Sequence, residues 1–85
     1  MADKKLYETI NAGNWIKGRL YNGEKACLIG HGWRLGGQWY RPLENAIRLL
    51  YPERIIPGEN VIVGFNNHPE TTVEDVLWVC KVADV

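Results

Sequence analysis

Eighty-five residues, 46% of them hydrophobic and 24% charged, describe one small globular domain over residues 1–85. That length excludes a doubly wound dinucleotide fold with a substrate domain, and a TIM barrel. Ten basic and ten acidic residues cancel to zero formal net charge, so bulk charge does not draw the chain to nucleic acid or polyphosphate.

The predicted elements begin at Asp3, a candidate N-cap for a short helix over 4–12. Leu6, Tyr7 and Ile10 make its apolar face and Gly13 its stop. Asn22-Gly23 then predicts a β-hairpin, because Asn-Gly suits the positive φ of a type I′ turn. The second arm passes toward a helix that begins near Cys27. Residues 30–37 hold four glycines and read equally as loop or glycine-interrupted helix.

A helix over 42–51 carries Leu43, Ala46, Ile47 and Leu50 as one buried stripe. Pro42 sits in its first turn and Pro52 ends it. The β-branched run Asn60–Phe65 predicts an extended segment. Asn66-Asn67-His68-Pro69 is a turn, and Thr71 with Glu74 forms a capping box for a last helix over 72–83. The competing reading of that segment is a valine-rich strand; the capping box decides for helix. The helix carries two apolar faces, one of Val73, Val76, Leu77 and Cys80, the other of Trp78, Val79 and Val82. The expected fold is therefore mainly α with one short hairpin. The alternative is an α+β domain in which 61–65 joins the hairpin.

Catalytic and metal chemistry find little footing. Cys27, His31, His68 and Cys80 are zinc-type residues, but no C-x-x-C or H-x-x-x-H spacing joins them. Cys27 with His31 lacks an orienting third group for a thiol nucleophile. The glycine-rich segment has neither a Walker Lys-Ser/Thr ending nor G-x-G-x-x-G. The expectation is no enzyme, no metal and no cofactor. Both cysteines are expected to be buried, reduced thiols.

No stretch approaches the roughly 20 apolar residues that span a bilayer. Met1-Ala2-Asp3-Lys4-Lys5 has no apolar run behind it, so no signal peptide is read and the cytoplasm is the expected location.

Four tryptophans and four tyrosines beside a single phenylalanine stand out. Such side chains join an apolar body to a polar tip and suit half-buried or interface positions. Trp33, Arg34, Trp39, Tyr40 and Arg41 mix rings with guanidinium groups. That mixture stacks a nucleotide-like ring, or simply lays arginine stems over indoles. Trp78, Val79 and Val82 are the candidate interface residues of the last helix.

The order Trp15-x-x-Gly18, Asn22-Gly23, Cys27-x-x-Gly30 and Phe65-Asn66-Asn67-x-Pro69-x-Thr71, followed by a valine-rich helix, resembles a family of small bacterial and phage proteins defined as a domain of unknown function. The chain departs from that pattern at Asn67, where Asp is usual, and at Leu28, where Ala is usual. The resemblance implies a mainly helical fold and a bacterial or phage setting, and brings no activity. The expected function is that of a non-catalytic, self-associating interaction protein. In a phage setting it would block a host factor such as a defence system. The alternative is a small-ligand, nucleotide-like binder using the aromatic and arginine residues.

Overall fold

A computed structural model of the chain describes residues 4–85; the expected cap at Asp3 lies outside them. The fold is mainly α with one short antiparallel hairpin. In chain order the described elements are α1 (Leu6–Thr9), β1 (Tyr21–Asn22), β2 (Lys25–Ala26), α2 (Leu28–Leu35), α3 (Tyr40–Leu50), a 3₁₀ turn (Pro52–Arg54), α4 (Val61–Asn67) and α5 (Val73–Ala83).

α1 is shorter than the expected 4–12. Asn11 and Asn14 compete for the backbone that would have continued it. The Asn11 amide donates to Asn14 Oδ1 at 2.9 Å, Gly13 N–H to Asn11 Oδ1 at 2.8 Å, and Asn14 Nδ2 to the Thr9 carbonyl at 2.9 Å.

The hairpin forms around the expected residues with its turn one place on. Tyr21 pairs with Ala26 and Asn22 with Lys25, which leaves Gly23-Glu24 as the two-residue loop. Gly23 alone there has positive φ, at 66°, the pattern of a type II′ turn rather than I′.

α2 takes in Gly30 and Gly32 of the glycine-rich stretch and ends at Leu35, before Gly36 and Gly37, both at positive φ; its two glycines are contact points. A Cβ on Gly30 would come within 2.6 Å of the Leu20 carbonyl oxygen, and one on Gly32 within 2.3 Å of the Trp39 ring. The helix gives up intrinsic propensity at these positions and gains close approach of the hairpin and of Trp39.

The extended segment expected over Asn60–Phe65 is a correction: it is helix α4. Asn60 Oδ1 accepts from Ile62 N–H at 2.9 Å and Val63 N–H at 3.2 Å, which makes Asn60 the cap. Val61, Ile62 and Phe65 are then buried on one face, and tertiary packing overrides the β preference of the run. The alternative in which 61–65 joins the hairpin goes with it.

The cap of α5 is likewise shifted by one residue. Thr72, not Thr71, accepts from Asp75 N–H at 3.3 Å, and Asp75 Oδ2 accepts from Thr72 N–H at 3.1 Å. Thr71 is buried, with its hydroxyl accepting from Arg54 Nη1 at 3.3 Å, so it is unavailable as a cap.

One core joins all five helices. Leu6, Leu28, Leu43, Ile47, Ile62, Phe65, Val76 and Val79 are fully enclosed, each contributing about 1.5–3 kcal/mol of burial against the exposed state. α3 and α5 pack antiparallel at its centre. Tyr51, just past α3, hydrogen-bonds Asp75 at the start of α5, while Trp39, before α3, shares a cleft with Asp84 beyond the end of α5.

Candidate functional site

α5 is the element with the most to explain. Val76, Val79 and Cys80 point into the core, and burial pushes the Cys80 thiol up to about 12, far from any reactive range. Val79, expected at an interface, is a correction. It is 0% exposed, because at helical spacing it falls beside Val76 rather than beside Trp78. Trp78 is 51% exposed and Val82, one turn on, 40% exposed. They stand on the side of α5 away from the core, flanked by exposed Glu74 and Lys81. Leu49 on α3, 74% exposed, was missed in the sequence, although its place outside the Leu43–Ala46–Ile47–Leu50 stripe is legible there.

The five aromatic and arginine residues do not converge. Trp39 is 6% exposed and spends its ring on Gly32. Arg34 donates to the Glu24 carbonyl at 2.7 Å and the Gly23 carbonyl at 2.9 Å, and lies over the Tyr21 ring at 4.7 Å, so it staples the hairpin to α2. The Tyr40 hydroxyl accepts from Asn60 Nδ2. Trp33 and Arg41 are exposed. A cleft of about 340 Å³ holds Trp39 alone of the five, with Lys4, Lys5, Leu35 and Asp84. Lys5 is engaged there, donating to the Asp84 carbonyl at 3.0 Å and pairing with the Asp84 carboxylate at 3.3 Å.

Trp15, Gly18 and Asn67 meet at a hydrogen-bonded hub around Asn66, which is buried. Its Oδ1 accepts from Trp15 Nε1 at 2.6 Å and from Leu28 N–H at 3.0 Å. Its Nδ2 donates to the Ile16 carbonyl at 3.1 Å and to Asn67 Oδ1 at 3.0 Å. Asn67 Oδ1 also accepts from Gly18 N–H at 2.8 Å. Cys27 caps α2, its sulfur accepting from Gly30 N–H at 3.5 Å. These groups are satisfied by one another, which accounts for them as architecture. A mostly apolar cleft of about 220 Å³ lies beside them, lined by Arg19, Leu20, Cys27, Ile29, Val63 and Asn66 among others.

Cys27 and His31 are not a side-chain pair. His31 Nε2–H donates to the Asn14 carbonyl at 2.8 Å, and burial, reinforced by the charge of Arg34, lowers its pKa despite that bond. Among the described residues no three His, Cys, Asp or Glu gather where a metal ion would sit, and no helix is long and apolar enough to cross a membrane.

Comparison of the chain with family models, with curated proteins and with solved structures found no match.

Proposed function

We propose that this chain is a non-catalytic interaction protein that associates with a second copy of itself through the outer face of α5. The observation that carries the reading is Trp78, half in solvent at the middle of a helix whose other side is in the core. A large aromatic at the centre of a patch is the commonest anchor of protein contacts, and Val82 widens the apolar area beside it. The resemblance to the bacterial and phage family extends the proposal. In the cytoplasm of such a setting the further partner is a host protein, for example a component of a defence system. The ligand-binding alternative has no comparable support, because its five residues are spread between core, hairpin staple and solvent.

Light scattering on the purified chain at high micromolar concentration tests the reading. The expected mass is twice 9.7 kDa, falling to a single chain in Trp78→Glu with helical circular dichroism retained. A wild-type monomer under those conditions overturns it.

A further inference from the structure

Glu74, Trp78 and Lys81 fall on one stripe of α5, at i, i+4 and i+7, with Val82 on the flank of Trp78; all four are exposed. Among the described residues the ion pairs are Lys5–Asp84, Arg48–Glu44 and Arg54 with Glu53 and Asp75, so neither Glu74 nor Lys81 has a partner there. Seven positions span about 10 Å along a helix, too far for the two to neutralise each other. The stripe thus carries a negative charge toward one end, a positive charge toward the other, and a half-exposed indole between them.

We propose that α5 pairs antiparallel with α5 of a second copy across a two-fold axis beside Trp78, so that Glu74 of each copy faces Lys81 of the other. The proposal rests on the self-association reading and specifies its geometry. An axis midway between Leu77 and Trp78 maps Glu74 onto Lys81, so both opposite-charge pairs form together and the two Trp78 rings meet near the axis. A two-fold contact uses the same patch on both copies, which a stripe of this kind satisfies by itself. Parallel pairing instead sets Glu74 against Glu74 and Lys81 against Lys81. α5 has 11 residues, about 16 Å of helix, so the contact is small and the dimer exchanges in the micromolar range.

Charge exchange on the full chain tests the arrangement, with dissociation constants read by sedimentation equilibrium at low salt. Glu74→Lys and Lys81→Glu each turn two attractions into repulsions and are expected to weaken the dimer roughly tenfold. The double variant Glu74→Lys with Lys81→Glu restores near wild-type affinity. It does so although both changes oppose the α5 dipole, so recovered stability cannot produce the rescue. Mixing the two single variants yields a heterodimer tighter than either homodimer. If wild type dimerises and Trp78→Ala does not, but the single charge variants bind like wild type or the double variant rescues nothing, the antiparallel geometry is wrong and self-association stands. A monomeric wild type removes both.

Discussion

Asn66 spends its amide on four different places: the Trp15 indole, the first amide of α2, the Ile16 carbonyl and Asn67. Replacing it by leucine leaves buried donors and an acceptor unmatched, at about 1–3 kcal/mol each. We expect Asn66→Leu to destabilise the fold by at least ~3 kcal/mol in urea denaturation. Asn66→Asp should also be costly, because an oxygen then faces the Ile16 carbonyl where an N–H had donated. A midpoint within error of wild type for Asn66→Leu would deny the hub its role. At the start of α5, Thr72→Ala removes the cap and should cost about 1 kcal/mol. Asp75→Ala should cost more, since Asp75 also holds Arg54 at 2.7 Å and accepts from Tyr51 at 3.2 Å. Burial opposes ionisation of Asp75, but the bonds from Arg54, Thr72 and Tyr51 outweigh it and lower its pKa. Equal denaturation midpoints for the Thr72 and Asp75 variants would separate the cap from that network.

At the scale of elements, α2 is held by what its glycines admit. Gly32→Ala drives a methyl group into the Trp39 ring, and we expect about 1–3 kcal/mol of destabilisation as α2 and α3 shift apart. Tryptophan fluorescence of the folded variant should report the displaced ring. Unchanged stability and fluorescence would mean that the two helices part without cost. α2 also carries His31, whose pKa burial holds below the ordinary 6.5. The folded state keeps the imidazole neutral while the unfolded chain takes up a proton near pH 6.5. The contribution is therefore complete above that pH and lost as pH falls through the lower folded value. Urea midpoints followed from pH 7.5 to 5 should drop in wild type and drop less in His31→Gln. Parallel curves would place the acid sensitivity elsewhere.

For the whole molecule, extents of 38 × 25 × 21 Å leave little interior, so aromatic and apolar side chains beyond the core emerge at the surface. The proposed self-association through α5 would make stability depend on concentration, because only folded chains pair. The melting temperature of wild type should rise with protein concentration, and that of Trp78→Glu should not. A flat wild-type profile would leave Trp78 an exposed tryptophan of a monomer.

The features legible in the sequence are those decided within a few residues. The α3 stripe, the hairpin at Asn22-Gly23 and the existence of the last helix rest on periodicity and turn chemistry, all local. Exposed Trp78 and Val82 belong with them, since their spacing already sets them apart from Val76 and Cys80. Tertiary structure decided the rest. Val61–Phe65 reads as β-branched strand until a core receives Ile62 and Phe65 on one helical face. Gly30 and Gly32 leave loop and glycine-interrupted helix equally open until Leu20 and Trp39 arrive to use the space. Thr71 reads as the cap until Arg54 claims its hydroxyl. In each case the energy that settles the conformation comes from a group distant in the chain, and no local pattern encodes its arrival.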